Sequence, residues 1–193
     1  MHRRAETRRG QTPGRVRLIG GSLRGSRLEV PDVAGLRPTS DRVRETLFNW
    51  LAPMIEGSRC LDLFAGTGAL GLEAASRGAR EVVLVERDLA AVAALRANVA
   101  RLKAAACRVE ACPAETYLRG TPQPFDLVLL DPPFAAAAWA PVIAALESGW
   151  LAPSAWLYIE CPAETPVDPG PTWRPWREGR AGQVRYGLWR RPA

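Results

Sequence analysis

A chain of 193 residues with 47% apolar and 24% charged side chains can bury one substantial core, which excludes a disordered or fibrous protein. No apolar run approaches the ~20 residues of a membrane span. The start, Met1 to Arg9, lacks the apolar stretch of a secretory signal, so a cytoplasmic protein without a membrane partner is expected. The formal charge of +6 is unevenly held, because residues 1–50 contain eleven arginines against five acids. Phosphates reward such clustering through counterion release, so this segment reads as a nucleic-acid contact.

Residues 1–13 read as a basic, disordered tail. Arg15 to Ile19 then alternates polar and apolar, Gly20-Gly21 turns, and Ser26 to Val30 alternates again. That pattern predicts a β-hairpin extension over 14–35, with Arg15, Arg17, Arg24 and Arg27 on its exposed face and turn, facing RNA together with Arg37. From 36 to 193 a single domain is expected. Thr39, Ser40 or Asp41 can cap a helix whose apolar face is Val43, Leu47, Trp50 and Leu51. Arg42 falls in its first turn, where a cation opposes the helix dipole and invites a functional explanation.

Arg59 to Phe64 is the first central strand, and the glycine loop Ala65 to Gly71 turns it into a helix ending near Gly78. Glu81 to Glu86 forms a second strand, Leu89 to Lys103 an alanine-rich helix, Arg108 to Cys112 a third strand and Glu115 to Leu118 a short helix. Phe125 to Leu130, bounded by Pro122 and Pro124, is a buried fourth strand that delivers Asp131 at its carboxyl end. A helix of roughly three turns through Val142, Ile143, Ala145 and Leu146 follows. Trp156 to Glu160 is a fifth strand, and Trp173 to Arg177 with Gln183 to Trp189 make an antiparallel pair. Regular alternation closed by a hairpin argues an α/β fold: a doubly wound sheet, mostly parallel, with an antiparallel C-terminal edge. Cys60, Cys107, Cys112 and Cys161 fall in or beside these strands without Cys-x-x-Cys spacing, which predicts buried, reduced thiols. The single histidine, His2, lies in the tail, so neither histidine acid–base chemistry nor a metal site is expected.

Gly66, Gly68 and Gly71 satisfy G-x-G-x-x-G, and Glu86 ends the next strand about 20 residues on, as a dinucleotide-binding unit requires. Asp62, inside the first strand, would repel a pyrophosphate and favour a cofactor with a cationic centre, which fits S-adenosylmethionine. Asp131-Pro132-Pro133-Phe134 is a stiff loop offering a carboxylate, backbone carbonyls and an aromatic face, suited to a planar base with an exocyclic amine.

The stretches Leu36 to Glu45, Asp62 to Gly71, Asp131 to Phe134 and Gly182-Gln183-Val184 together resemble the bacterial 16S rRNA guanine-N2-methyltransferases of the small subunit. These are class I S-adenosylmethionine-dependent enzymes, and the likeness runs from about Arg15 to Arg190. The resemblance implies a Rossmann-like, seven-stranded sheet with 16S rRNA as partner, within a 30S particle or assembly intermediate, and a monomeric enzyme. It implies cofactor contacts from Asp62, Phe64, Ala65, Gly66, Gly68, Glu86 and Arg87, with Thr39 and Arg42 beside them. It also implies that Asp131, Pro132, Pro133 and Phe134 hold the base. One departure stands out: where many relatives place Asn or Asp after the third strand, this chain has Cys112-Pro113-Ala114. The adenine contact is therefore expected from the Ala114 backbone or from Glu115. The residues themselves leave open an adenine N6-methyltransferase on DNA or another RNA, and a non-catalytic ribosome assembly factor.

Overall fold

The computed structural model describes residues 16–31, 39–134 and 138–192. The expected tail over 1–13 and the RNA-facing Arg15 and Arg37 lie outside the described residues. Strands β1 (Val16–Arg17) and β2 (Arg27–Leu28) pair antiparallel, Val16 opposite Leu28. Alternation drives Val16, Leu18 and Leu28 into a small core with Ala69, Leu72 and Ala104, and leaves Arg17, Arg24 and Arg27 exposed.

Helix α1 (Asp41–Leu51) is capped by Ser40, whose Oγ accepts the Val43 N–H at 3.4 Å. Its buried face is Val43, Arg44, Leu47, Phe48 and Leu51. Trp50, expected on that face, sits at its margin and stacks on Tyr186 with centroids 5.6 Å apart. Arg44 takes the inner place because its guanidinium is bonded rather than solvated. Nη2 donates to the Arg17 carbonyl at 2.9 Å and to Asp41 at 2.6 Å, and Nε to the Thr39 carbonyl at 3.3 Å.

The strands β3 (Arg59–Asp62), β4 (Glu81–Glu86), β5 (Cys107–Ala111), β6 (Phe125–Leu130), β7 (Leu151–Pro162), β8 (Arg174–Ala181) and β9 (Val184–Arg190) form one sheet. Its order is β5-β4-β3-β6-β7-β9-β8, with β9 antiparallel to both neighbours and the other pairs parallel. Helices α2 (Ala69–Ser76), α3 (Leu89–Leu102), α4 (Ala114–Tyr117) and α5 (Trp139–Leu146) make the crossovers. Alternate strand residues fill two cores. Leu61, Val83, Val128 and Leu157 face one side, while Cys60, Leu84, Leu129 and Tyr158 meet Leu47 and Phe48 of α1 on the other.

Further details differ from the sequence reading: β3 ends at Asp62 rather than Phe64, and β8 runs Arg174–Ala181 rather than Trp173 to Arg177. α5 has eight residues rather than three turns: Pro141 is tolerated only in a first turn, and Gly149, at φ +99°, ends the segment. β7 starts at Leu151 rather than Trp156, with a register irregularity between Phe125 and Leu127 taking up the extra length. Cys60 and Cys161 are buried as expected, but Cys107 and Cys112 are only half-buried because β5 is an edge strand.

Candidate active site

Strand order reverses between β3 and β6, which places a crevice at their carboxyl ends, the position where open α/β sheets take ligands. Register decides what lines it. Leu84 pairs with Asp62, Asp62 with Leu129, and Leu129 with Tyr158. Two residues further along a strand the side chain returns to the same face, so Glu86, Asp131 and Glu160 stand on the face that carries Asp62. Four neighbouring strands therefore bring four carboxylates to one face under the start of α1, with Glu86, Asp131 and Glu160 level with one another and Asp62 two residues, about 7 Å, behind them.

Asp62 is 1% exposed. Its Oδ2 accepts the Gly71 N–H at 3.0 Å, whereas Oδ1 is buried without a hydrogen-bond partner among the described residues. Burial pushes its pKa up to about 7; the Gly71 amide opposes the rise and the charge of Asp131 adds to it. An orphaned carboxylate oxygen is costly in a folded protein, and a bound cation or hydrogen-bond donor would remove the cost.

The glycine loop is shaped to leave room beside it. Gly66 and Gly68 have φ of +52° and +80°, a conformation that L side chains rarely adopt. A Cβ on Gly71 would collide with Leu84 Cδ2 and lie 3.2 Å from Asp62 Oδ2, so the bare backbone is what seats α2 on the sheet and brings its N–H to Asp62. Glu86 locks the loop from the next strand: Oε2 accepts the Gly66 N–H at 2.9 Å and Oε1 the Asp88 N–H at 2.8 Å. Each oxygen retains a lone pair for a ligand hydroxyl.

On the other side of the switch, Asp131 is half-buried and its Oδ2 accepts the Thr39 hydroxyl at 3.2 Å. Burial raises its pKa to about 6, with the Thr39 hydrogen bond opposing the rise. Pro132 is buried, while Pro133 and Phe134 are exposed. The Phe134 ring leans on Trp139, centroids 6.1 Å apart at 41°. Trp139 Nε1 in turn donates to the Glu160 carbonyl at 2.9 Å, tying the loop to β7.

Glu160, 4% exposed, was not singled out in the sequence. Its Oε1 accepts the Tyr158 hydroxyl at 2.8 Å. Burial pushes its pKa up to about 8, the charge of Asp131 adds to the rise, and the bond from Tyr158 opposes it. The available signal was a lone acid within an apolar strand, in a position equivalent to Asp131 once β6 and β7 are aligned. Arg44 and Glu73 were also missed. Glu73 accepts the Ile19 and Gly20 N–H groups, each at 2.8 Å, and pairs with Arg77 at 2.8 Å and Arg44 at 3.9 Å, so it fastens the hairpin to α2.

The remaining candidates are distributed as follows. Phe64 is half-buried and Ala65 buried within the loop, and Arg87 is exposed just after Glu86. Ala114 is buried and Glu115 exposed at the start of α4, beyond the end of β5. Thr39 is brought to Asp131, whereas Arg42 points outward from α1 and joins none of the carboxylates. A recess lined by Met54, Ser58, Asp126 and Trp156 opens at the opposite ends of the strands and does not adjoin this row.

A family model described as conserved hypothetical protein 95 matches residues 16–190. The chain is 49% identical over 182 residues to ribosomal RNA small subunit methyltransferase D of Escherichia coli K12, covering 93% of this chain and 92% of that protein. The protein of the same name in Haemophilus influenzae is 42% identical over 188 residues, covering 93% of this chain and 97% of the relative. The solved structure of yhhF from Escherichia coli superposes with a TM-score of 0.86 at 46% identity, covering 93% of this chain and 99% of that one.

Proposed function

The chain belongs to the family described as conserved hypothetical protein 95, and on that premise we propose that it methylates the exocyclic N2 of a guanine in small-subunit ribosomal RNA. S-adenosylmethionine is the methyl donor in this reading. The observation that carries it is the carboxylate row at the switch point, with the unpartnered Asp62 Oδ1 on one side and Asp131-Pro132-Pro133-Phe134 on the other.

The residues fit this cofactor. Asp62 and Phe64, with the small Ala65 and the side-chain-free Gly66 and Gly68, would form the cradle for the methionine end, whose cation would draw Asp62 into its ionised form. Glu86, flanked by Arg87, offers lone pairs to ribose hydroxyls, and the Ala114 backbone or Glu115 meets the adenine. When bound, the cofactor supplies a methyl group already activated on a sulfonium. The protein's own task is then to position the acceptor. With a pKa near 6, Asp131 is mostly ionised at pH 7 and acts as a hydrogen-bond acceptor. Its carboxylate and the Pro132 carbonyl each take one N–H of the amine, directing the nitrogen lone pair away from the ring and toward the donor. Thr39 fixes the carboxylate, and Phe134, exposed beside it, stacks on the base, a contact worth about 1–3 kcal/mol in comparable sites. Holding the reacting atoms in line supplies much of the rate.

The target base must leave its stack to reach this pocket. In this reading residues 36–193 are the catalytic domain, and the hairpin extension over 14–35 grips flanking RNA through Arg15, Arg17, Arg24 and Arg27, with Arg37 and the basic tail adding charge. The substrate is 16S rRNA within a 30S particle or assembly intermediate, and the enzyme acts as a monomer in the cytoplasm.

The test is methyl transfer from labelled S-adenosylmethionine to 30S particles from a strain lacking the enzyme, with nucleoside analysis of the product, comparing wild type with Asp131→Ala. Label in N2-methylguanosine that vanishes in the variant is expected. Label in N6-methyladenosine would overturn the choice of base, and no label despite cofactor binding would overturn the catalytic reading.

A further inference from the structure

Among the described residues three large apolar side chains are exposed: Leu89, Phe134 and Trp176. The first two follow β4 and β6 and rim the carboxylate row. Trp176 lies away from it, on the edge strand β8, and is 51% exposed. Pairing with β9 shifts register between Pro175 and Arg177, so Trp176 is the extra residue of a bulge, a device that re-aims a side chain.

The surroundings of Trp176 are cationic. Its ring stands edge-on to Trp156, centroids 5.6 Å apart at 81°; the Arg177 guanidinium lies 5.9 Å from the Trp176 centroid, and that of Arg190 lies 5.6 Å from the Trp156 centroid. Arg174 pairs across the ladder with Arg190, which pairs in turn with Trp156. Although the chain beyond residue 50 is neutral as a whole, residues 174–191 hold six arginines and one acid. Arg180, Arg185 and Arg191 are answered by Glu164, Glu178 and Glu147. Arg174, Arg177 and Arg190 have no acidic partner among the described residues. Charge and proline on an edge strand serve to block pairing with other chains. That requirement accounts for Arg174, Pro175 and Arg177, but not for a tryptophan turned outward between them.

We infer that the surface formed by Trp156, Arg174, Trp176, Arg177 and Arg190 binds a single-stranded segment of the ribosomal RNA that flanks the modified nucleotide. An unpaired base stacks on Trp176, and the three arginines meet phosphates, the combination used to hold single strands without reading their sequence. Trp156 is on the same face of β7 as Glu160 and four residues before it, about 13 Å away, within reach of a few nucleotides from the pocket. The β1–β2 hairpin packs on α2 and α3, beside the opposite half of the sheet, so the two basic surfaces flank the base from both sides. This inference rests on the methyltransferase reading above.

The test measures binding of deproteinised small-subunit ribosomal RNA between about 50 and 200 mM salt, for wild type, Trp176→Ala, Trp176→Phe and the combined Arg174→Ala, Arg177→Ala, Arg190→Ala variant. S-adenosylmethionine affinity and melting temperature serve as controls for the fold. Trp176→Ala should weaken RNA binding about 5- to 150-fold, and Trp176→Phe should restore much of the loss. The triple variant should lower the slope of log affinity against log salt by about two, at about 0.7 per phosphate. KM for RNA should rise with kcat little changed. Unchanged affinity and slope in all variants, with RNA bound by the wild type, would overturn this surface alone. Normal binding to naked RNA with loss of activity only on 30S particles would assign the surface to a protein and overturn the inference. A wild type that binds S-adenosylmethionine but neither naked RNA nor 30S particles would overturn both readings.

Discussion

Replacing Asp62 with Asn tests the physical basis of the proposed cofactor site, because the amide oxygen can still accept the Gly71 N–H while the charge is removed. In the wild-type protein burial holds the Asp62 pKa at about 7, against an ordinary value of 3.8. The folded state therefore binds this proton more tightly than the unfolded state. Stability from this group is greatest below pH 3.8, falls as the pH rises toward 7 and then levels off. At about 1.4 kcal/mol per pH unit, the gap corresponds to about 4 kcal/mol at neutral pH. The amide of Asp62→Asn never ionises, so the variant should be more stable than wild type at pH 7 to 8 by up to ~4 kcal/mol and nearly equal to it around pH 4. At roughly 2–4 °C per kcal/mol for a domain of this size, the melting temperature should rise by about 8–16 °C at neutral pH. Asp131 and Glu160, also raised by burial, should leave a residual downward slope with pH in the variant. Thermal melts across this pH range measure the effect, and calorimetric titration with S-adenosylmethionine should show the affinity lost. If Asp62→Asn melts at or below the wild type at pH 7, with the same dependence on pH, that result would refute the claim that Asp62 is held charged for a cation at the expense of stability.

Three further outcomes follow from the same geometry. In the proposed role of Asp131 as an ionised acceptor with a pKa near 6, single-turnover methyl transfer should fall about tenfold per pH unit below that value; a rate unchanged two units lower would contradict that role. At about pH 4, where Glu160 is mostly protonated in both the folded and the unfolded state, Glu160→Leu strands the buried Tyr158 hydroxyl and should cost about 1–3 kcal/mol in a denaturant titration. Glu160→Gln keeps an acceptor and should cost much less, and equal losses in both would show that the hydrogen bond is not what matters. Glu73→Ala removes one of the two acids beside buried Arg44, leaving Asp41, and strands the Ile19 and Gly20 amides, each at about 1–3 kcal/mol. Hydrogen exchange should accelerate across residues 16–31 and leave β3, β4 and β6 protected; uniform acceleration would mean that the hairpin is not separately fastened.

Much of the molecule was written in local pattern. The strands from Arg59 to Glu86 and Phe125 to Leu130 are continuous apolar runs bounded by breakers. The glycines after Phe64 mark positions where backbone must take positive φ or pack without a Cβ, and Asp131-Pro132-Pro133 can neither extend a ladder nor begin a helix in the usual way. Those constraints are properties of single residues and short spacings, so a sequence reading reaches them.

What it could not reach depends on register and on residues far apart in the chain. Nothing local announces that Glu160 will lie on the same face as Asp131; that follows only when β6 and β7 pair Leu129 with Tyr158. Arg44 and Glu73 look like surface charges until α1, α2 and the hairpin converge on them. Trp176 lay beyond reading for the converse reason: an aromatic in a strand is ordinarily core, and only an edge position with a shifted register turns it outward. The sequence by itself determined the elements, their order and the chemistry available at the strand ends. Tertiary structure decided which of those groups share a face, and with that which carboxylates are buried together and how far their pKa values move, because desolvation and charge repulsion depend on distances that only the folded sheet sets.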